Sequence, residues 1–162
     1  MCGILAIIGK GKDEEVVKAL SKRMSHRGPD ESDIHVTENG HILSHERLSI
    51  IDLHSGRQPI QGCTTAWMVH NGEIYNHQEL RDSILKDHVF RSKSDSEVIV
   101  HLYEKFGYDF VHLLDGDFAF VVVDGDDNNN NTNTNNNNND VVVVQQAMKQ
   151  LLLVPNFDTT IN

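Results

Sequence analysis

A tract of uniform composition divides this sequence and limits what can fold. Every residue from 128 to 139 is asparagine or threonine. Such a segment has no apolar side chains to bury, so burial cannot offset the entropy lost on ordering. We therefore expect a folded domain over residues 1–124, a disordered segment over 125–140 and an unassigned apolar tail over 141–162. At 162 residues the chain suits a single domain with a sizeable core.

The part of the chain before the tract alternates between strand-like and helix-like patterns. Residues 3–9 form an apolar run between glycines, typical of a strand covered on both faces. Residues 13–24 carry apolar side chains at helical spacing, with acidic residues in the first turn. Asn76 and the S-x-x-E capping box of Ser94–Glu97 predict two further helix starts, and Gly107 predicts where the later helix ends. Further strand-like runs are 33–37, 42–52, 65–70 and 117–124.

Charge and cysteine usage narrow the class of protein. Twenty-four acidic against fourteen basic residues give a formal charge of −10, which repels phosphate backbones, so we expect no nucleic-acid partner. No apolar run is long enough to span a bilayer, and we expect no membrane partner. Two cysteines are too few for a disulfide framework, which favours a cytoplasmic protein with reduced thiols. The ten histidines are spread from His26 to His112 and Cys63 has no spaced partner, so the sequence predicts no metal site.

Cys2 is the candidate nucleophile of this chain. If Met1 is removed, the chain begins with a thiol whose own α-amino group lies on the same residue. A thiol with a pKa of about 8.5 and a terminal amine with a pKa of about 7.7 to 8.0 can exchange a proton near neutral pH. An N-terminal amine is a known activator of such nucleophiles. A cysteine at the second position also occurs by chance, so the other motifs have to decide between the two interpretations.

Further motifs follow Cys2 in a defined order. They are Met-Cys-Gly-Ile at the start, H-R-G-P-D at 26–30, H-E-R-L-S-I-I-D at 45–52, Q-P at 58–59, N-G-E-I-Y-N-H-x-E-L-R at 71–81 and S-D-S-E-V-I at 94–99. In this order and spacing they resemble the glutaminase domain of glutamine-dependent asparagine synthetase. That domain is a class II glutamine amidotransferase of the N-terminal-nucleophile hydrolase type, and the resemblance covers residues 1–124.

The resemblance implies an α+β fold, a four-layer αββα sandwich of two stacked antiparallel sheets flanked by helices. In that family a G-R-D-x-x-G segment and further strands follow the strand at 117–124. The asparagine tract stands in their place here, so we expect the second sheet to be incomplete. Residues 141–154 are apolar enough to pack as a helix or a strand and could supply a substitute element.

The resemblance also implies the catalytic roles. The Cys2 thiolate would attack the side-chain amide carbonyl of glutamine, giving a γ-glutamyl thioester and ammonia. The Asn71 side chain and the Gly72 backbone N–H would donate hydrogen bonds to the oxyanion of the tetrahedral intermediate.

Substrate binding is implied for a second set of residues. Arg47 would hold the α-carboxylate of glutamine, a task suited to a planar bidentate donor. Asp95, with Glu73 nearby, would hold the α-ammonium group. The remaining lining would be the backbone of Leu48, Ser49, Ile50 and Ile51, together with Asn71 and Gly72.

Taken one at a time, these residues have simpler interpretations. Asn71-Gly72 alone is a common hairpin-turn signal, Arg47 alone is usually a surface cation, and Asp95 alone is a first-turn helix acid. Cys63 is most simply a packed or surface thiol. The histidines of the motifs are interpreted as structural hydrogen-bonding groups, namely His26, His45 and His77. Only the joint occurrence of the motifs favours a glutamine site.

The resemblance also bears on cofactors and partners. The family's synthetase half binds ATP through an S-G-G-x-D-S loop, and this sequence contains no Gly-Gly pair. We therefore assign ATP and Mg²⁺ to no residue here and expect no cofactor; the expected partners are glutamine and a separate synthetase chain or domain. The alternative hypothesis is a catalytically silent fragment, or an interaction or regulatory module, because missing strands leave an unpaired edge and an exposed apolar face.

Overall fold

The computed structural model describes residues 2–9, 13–49, 56–124, 140–146 and 153–154. Within these residues the fold is α+β, with eight strands in two sheets and three α-helices. The strands are β1 Gly3–Ile7, β2 Glu31–Val36, β3 Ile42–Arg47, β4 Ile60–Gln61, β5 Trp67–Ile74, β6 Gly116–Asp124, β7 Asp140–Gln146 and β8 Leu153–Val154. The helices are α1 Glu14–Lys22, α2 His77–Asp82 and α3 Glu97–Phe106, with a 3-10 helix over Gly107–Leu113.

Each sheet has four strands. The first has the order β2-β3-β1-β8, and the second has the order β4-β5-β6-β7. Neighbouring strands pair antiparallel, except that β8 runs parallel to β1. The sequence-based expectation of antiparallel sheets therefore holds for every pair but one, and β4 is an element that the pattern of side chains did not predict.

Three buried apolar clusters organise the elements. Alternate side chains of a strand point to opposite faces, and β1 accordingly contributes to two clusters. Ile4 and Ala6 pack with residues of β3, β5 and β6, whereas Leu5 and Ile7 pack with Val17 of α1. The largest cluster joins the other face of β5 and β6 to α2, α3 and the 3-10 helix. Its large, fully buried members include Phe110, Phe118, Phe120, Leu102 and Met68.

Helix ends follow the sequence signals only in part. The Asp13 side chain accepts a hydrogen bond from the Glu15 backbone N–H at 2.9 Å and caps α1, and the first turn carries the expected acidic residues. Asn76 lies at the start of α2 but makes no capping bond, because its side-chain N–H₂ donates to the Leu113 carbonyl and its oxygen accepts from Asp115 N–H. Its side chain thus ties the start of α2 to the segment before β6.

The predicted capping box of α3 is wrong. Ser96 occupies the N-cap position and makes no side-chain capping bond. The Glu97 carboxylate turns toward the preceding loop, where it accepts hydrogen bonds from the backbone N–H groups of Arg91 and Ser92 at 2.7 and 2.8 Å. Glu97 is almost fully buried, so these tertiary partners replace the local one.

The segment after the asparagine tract pairs with both sheets. β7 runs antiparallel to β6, from Asp124 opposite Asp140 to Phe118 opposite Gln146. Of the two alternatives left open for residues 141–154, the structure has a strand over 140–146, and Val141 packs against the cluster shared by the two sheets. The segment predicted to be disordered lies outside the described residues except for Asp140. No helix in the described part of the chain is long and apolar enough to cross a membrane.

Candidate functional site

Cys2 and Arg47 lie at the same end of the first sheet. Cys2 directly precedes β1, and Arg47 is the last residue of β3. In the antiparallel register of these two strands Gly3 lies opposite Glu46, which brings Cys2 beside the chain that leaves β3. The Leu48 backbone N–H donates a hydrogen bond to Cys2 Sγ at 3.4 Å. The structure thus holds the sulfur of the candidate nucleophile against the H-E-R-L-S-I-I-D motif.

The Asn71 side chain points into the space between the two sheets. It lies on β5 opposite Ala119 of β6, and Ala119 belongs to the cluster shared by the two sheets. Residues directly opposite in an antiparallel pair share a face, so the Asn71 side chain is on the inter-sheet side. It is buried. Asn71 and Gly72 therefore lie inside a strand, and the isolated interpretation of this pair as a hairpin turn is wrong.

Two glycines allow backbone segments to approach closely at this end. Gly72 has a φ of 149°, and a Cβ there would overlap the backbone of Asp117 and Phe118 on β6. A residue with a side chain would be strained by its dihedral angle and by the contact. Gly28 packs its Cα against the backbone of Glu46, where a Cβ would also overlap. The H-R-G-P-D segment can therefore lie directly on the end of β3.

Arg27 and Asp30 are functional candidates to which the sequence analysis gave no role. The Arg27 Nε donates a hydrogen bond to the Cys2 carbonyl at 3.1 Å. Asp30 donates its backbone N–H to the Arg47 carbonyl at 3.0 Å, and its carboxylate accepts from Ser49 N–H at 2.7 Å. These contacts position both Cys2 and the chain after β3. Both residues belong to the H-R-G-P-D motif, which is the sequence signal for them. A motif does not, however, show which distant residues its members contact.

Arg47 is buried, so the interpretation as a surface cation is wrong. Its Nη1 donates to Glu31 Oε2 at 2.6 Å, across the β2–β3 pair. The other Glu31 oxygen pairs with Arg57 Nη2 at 3.1 Å. The hydrogen bond from Arg47 lowers the pKa of the Glu31 carboxyl, which keeps it ionised. A guanidinium has five N–H donors in a planar fork, so a residue held in this way can orient toward a second carboxylate.

Asp95 lies before α3 and not in its first turn, so the isolated interpretation as a helix acid is also wrong. Its buried carboxylate accepts a hydrogen bond from the Ile74 backbone N–H at 2.8 Å. The structure therefore places Asp95 against the end of β5 that carries Asn71 and Gly72. Glu73 is exposed on the same strand.

A buried polar network supports this part of β5. The His70 backbone N–H donates to Gln58 Oε1 at 2.6 Å, and the His70 ring Nδ1 lies 2.8 Å from Ser96 Oγ. Gln58 is followed by a cis peptide bond to Pro59. Gln58 belongs to the Q-P motif and Ser96 to the S-D-S-E-V-I motif, and His70 links the two. The structure shows that both motifs hold the same strand.

His45 lies beside His70 in the interior. The His45 ring makes a hydrogen bond with the His70 backbone, and burial, assisted by the charges of His70 and Arg47, lowers the pKa of His45 to about 3. Burial lowers the pKa of His70 to about 4, opposed by the Asp95 carboxylate. Both rings are therefore neutral at physiological pH. His26, by contrast, is exposed, with its Nδ1 3.1 Å from the Arg23 carbonyl oxygen.

Two of the predicted lining residues, Ile50 and Ile51, lie outside the described residues. Leu48 and Ser49 are described and half-buried. Of the predicted site residues, the structure brings Cys2, Arg47, Leu48 and Ser49 together at the end of the first sheet. Asn71, Gly72, Glu73 and Asp95 are together at the second sheet.

Comparison with known proteins identifies the class. The chain belongs to the family of glutamine amidotransferase domains, because the model of the Glutamine amidotransferase domain matches residues 1–132. The resemblance found in the sequence motifs is thereby confirmed, and the matched region extends slightly beyond the expected 1–124.

Individual relatives are more specific. The chain is 51% identical over 130 residues to Asparagine synthetase [glutamine-hydrolyzing] 1 of Arabidopsis thaliana, covering 76% of this chain and 22% of the relative. It is 51% identical over 130 residues to Asparagine synthetase [glutamine-hydrolyzing] of Asparagus officinalis, with the same coverage. It is 47% identical over 129 residues to Probable asparagine synthetase [glutamine-hydrolyzing] of Dictyostelium discoideum, covering 75% of this chain and 23% of the relative. The chain thus spans under a quarter of the length of these relatives.

Proposed function

We propose that this chain hydrolyses the side-chain amide of glutamine to glutamate and ammonia, with Cys2 as the nucleophile, and that the ammonia serves asparagine formation. Membership of the glutamine amidotransferase family and the names of the relatives support the reaction class. The observation that carries the choice of nucleophile is the hydrogen bond of 3.4 Å from Leu48 N–H to Cys2 Sγ. This hydrogen bond holds the thiol beside the end of β3, where Arg47 lies. Asn71 lies on β5 of the second sheet and faces the space between the two sheets.

The proposed reaction has two covalent steps. After removal of Met1, the Cys2 thiolate attacks the amide carbon, the C–N bond breaks, and the α-amine of Cys2 delivers a proton to the departing ammonia. A γ-glutamyl thioester remains. Water then attacks the thioester carbon, the C–S bond breaks, glutamate leaves, and the proton lost by water returns to the terminal amine. Glutamine and water are the only reactants, so no cofactor is needed for this half-reaction.

The oxyanion that develops in each step needs preorganised donors. We assign this role to the Asn71 side chain and the Gly72 backbone N–H. The burial of Asn71 and its position on the inter-sheet face support the assignment, because hydrogen bonds to a developing charge are stronger where water is excluded. Loss of one such donor typically lowers the rate by about 10² to 10³.

Arg47 is proposed to hold the α-carboxylate of glutamine, with its guanidinium oriented by Glu31. Asp95, with Glu73 nearby, is proposed to hold the α-ammonium group. The anchoring of Asp95 by Ile74 N–H supports this, since a buried carboxylate in a defined position is suited to recognising one cation. Backbone groups of Leu48, Ser49, Ile50 and Ile51 complete the proposed pocket.

We infer that the architecture is the four-layer αββα sandwich of N-terminal-nucleophile hydrolases. One apolar cluster between the sheets and one on the helix-bearing face of each sheet support this inference. With β7, the second sheet gains a strand on the outer edge of β6, where the family's further strands were expected to be missing.

The proposal extends to partners and location. The ammonia acceptor would be a synthetase domain or chain, which would also supply the ATP and Mg²⁺ chemistry of asparagine formation. We place the reaction in the cytoplasm, where the thiols of Cys2 and Cys63 stay reduced; both are free cysteines in the structure.

The test is glutamate production by purified protein whose N-terminus has been verified by mass spectrometry. The form that begins with Cys2 should release glutamate from glutamine. Cys2→Ser, which keeps the size of the side chain, should lower the rate by at least about 10³-fold. A form with one extra residue before Cys2 should also be strongly impaired, because the amine no longer lies on the nucleophile.

Two results would contradict the proposal. Hydrolysis by Cys2→Ser at the wild-type rate would remove Cys2 from the mechanism. Absence of glutamate with the folded, processed wild-type chain would instead support the silent interaction or regulatory module.

A further inference from the structure

We propose that Cys63, His88, His101 and Glu104 form a Zn²⁺ site outside the glutamine site. One potential ligand atom from each residue lies within 4.8 Å of all the others. The residues come from three separate segments: the turn between β4 and β5, the chain after α2, and α3. The sequence predicts no metal site because its histidines are spread along the chain, but the fold brings His88 and His101 together.

The distances within the cluster suit a tetrahedral metal. Zinc bonds of about 2.0 to 2.3 Å place neighbouring ligand atoms about 3.4 to 3.6 Å apart. His101 Nδ1 lies 3.7 Å from Cys63 Sγ and 3.2 Å from Glu104 Oε2. Two edges of the tetrahedron are thus close to their final length. Cys63 is exposed and His88 is half-buried, so small side-chain movements can close the remaining distances.

His101 is oriented for metal binding by a carboxylate on its other side. Its Nε2 lies 3.5 Å from Glu97 Oε1. The backbone N–H groups of Arg91 and Ser92 donate hydrogen bonds to this carboxylate at 2.7 and 2.8 Å and fix it beside the ring. A carboxylate oxygen at Nε2 favours a proton on that nitrogen. The Nδ1 lone pair is then directed at Cys63 and Glu104, as in the carboxylate–histidine–zinc arrangement common in metal sites.

Glu104 is anchored so that one oxygen faces the cluster. Its Oε1 accepts hydrogen bonds from the Thr64 backbone N–H at 2.7 Å and from the Thr64 hydroxyl at 2.8 Å. Gly62 makes room for this carboxylate, because a Cβ at that position would overlap it. The remaining oxygen, Oε2, is the one near His101 and is the proposed ligand atom. His101 and Glu104 are three residues apart on α3, a spacing that places both on one helix face.

The ligand set selects the metal. A thiolate and two imidazoles disfavour Mg²⁺ and Ca²⁺, which prefer oxygen ligands, whereas nitrogen and sulfur ligands with one carboxylate suit Zn²⁺. Four protein ligands also make a closed site of the structural kind. Bound zinc would tie the β4–β5 turn and the segment after α2 to α3, and would thereby stabilise the folded state.

The same geometry has a metal-free explanation. Burial lowers the pKa of His101, but hydrogen bonds to Glu104 and Glu97 raise it above its usual value. A protonated His101 between two carboxylates would account for those two contacts. The distance of 3.7 Å between Cys63 Sγ and His101 Nδ1 also fits a hydrogen bond to sulfur, so the approach of His88 is the feature that this explanation leaves out.

The test is metal binding by the whole chain carrying Cys2→Ser, which removes the other thiol. Metal-free protein is titrated with Zn²⁺ in competition with a chromophoric chelator. In a separate titration, Co²⁺ binding is monitored by its absorption spectrum. We expect a single equivalent of either metal, with Co²⁺ giving a thiolate-to-cobalt charge-transfer band and tetrahedral ligand-field bands. Cys63→Ser should abolish the charge-transfer band, and Cys63→Ser and His88→Ala should each weaken Zn²⁺ binding at least about 100-fold.

Two variants complete the design. Glu97→Gln should weaken Zn²⁺ about 10- to 100-fold while leaving the tetrahedral Co²⁺ spectrum in place. His112→Ala, a change at an exposed histidine outside the cluster, should bind as the parent does. Absence of stoichiometric binding at micromolar Zn²⁺, or binding that survives both Cys63→Ser and His88→Ala, would overturn the proposal in favour of the protonated His101. None of these readouts depends on glutamine hydrolysis, so the two proposals fail separately.

Discussion

The role of a single residue in this chain depends on how deeply it is buried and on which groups it contacts. Arg47 shows this clearly: in the sequence it is one cation among fourteen basic residues, and in the structure it is buried against Glu31. Arg57 contacts the same carboxylate but its side chain is 66% exposed. The two arginines therefore share a partner and differ in environment, which makes them a matched pair for experiment.

Arg47→Lys should raise KM for glutamine at least about 10-fold with a smaller change in kcat. Lysine keeps the positive charge beside Glu31 but lacks the planar fork that would grip the α-carboxylate, and loss of such uniform binding appears in KM. Steady-state kinetics of glutamate release would measure this, given that the proposed hydrolysis occurs. Arg57→Lys is the control and should leave both constants near wild type, since exposed ion pairs contribute little. Equal effects of the two substitutions would contradict the assigned role of Arg47.

The candidate residues could be named from sequence because several motifs occur together. The supporting contacts could not. Arg27 reaches the Cys2 carbonyl and His70 joins Gln58 to Ser96, over separations that no local pattern encodes. A motif identifies which residue types are needed, whereas a long-range hydrogen bond depends on where the chain places them.

At the scale of elements, local sequence signals predict the positions of strands and helices better than they predict the hydrogen bonds that cap the helix ends. β1, α1 and β6 match the predicted segments closely because their apolar patterns agree with their final environment, and α3 ends before Gly107 as predicted. The capping box of α3 fails because Glu97 is drawn into the interior by backbone donors of another segment. β4 is too short to show any periodicity.

Two facing strands, β3 and β5, bury a pair of neutral histidines that should make stability depend on pH. The groups facing His45 are His70, Arg47 and Glu31, and Asp95 faces His70. Because the folded pKa values of about 3 and about 4 lie below the unfolded value of 6.5, the unfolded chain binds protons first as the pH falls. This stability is fully present above about pH 6.5 and is lost progressively down to about pH 4 for His70 and about pH 3 for His45.

At about pH 5 the loss from His45 alone should be on the order of 2 kcal/mol relative to neutral pH. Urea unfolding at the two pH values should show it, and His45→Gln should reduce the difference while the exposed control His26→Gln should not. NMR titration of the imidazole rings gives a second readout that does not require a substitution. A His45 ring that protonates near pH 6.5 in the folded protein would refute the prediction.

At the scale of the whole molecule, the fold depends on residues on both sides of the asparagine tract. β7 pairs with β6 over Asp140–Gln146, and β8 pairs with β1 through Leu153 and Val154. Without β7, the apolar strand β6 would be an unpaired edge, and such edges favour association with other chains. Residues 141–154 are apolar enough to predict a substitute element, and in the structure this region contributes the strands β7 and β8.

Removal of residues 140–162 should therefore destabilise the protein by a large part of the roughly 5 to 15 kcal/mol that a domain has. Urea unfolding would measure the loss, and size-exclusion chromatography would detect association through the exposed edge of β6. Removal of 155–162 alone is the matched control, since it leaves β7 and β8 in place. A shorter chain that unfolds cooperatively at the same urea concentration as the full chain would show that β7 contributes nothing to stability.

The sequence by itself determined the family, the nucleophile candidate and the main strands and helices, because motifs and periodicity are local and survive without knowledge of the fold. Only the tertiary structure decided which polar groups meet. It buried Arg47 against Glu31, directed Glu97 toward the loop before its helix, and brought Cys63, His88, His101 and Glu104 to one point. The physical reason is that burial and hydrogen bonding between distant segments depend on how sheets and helices pack, which a linear pattern does not contain.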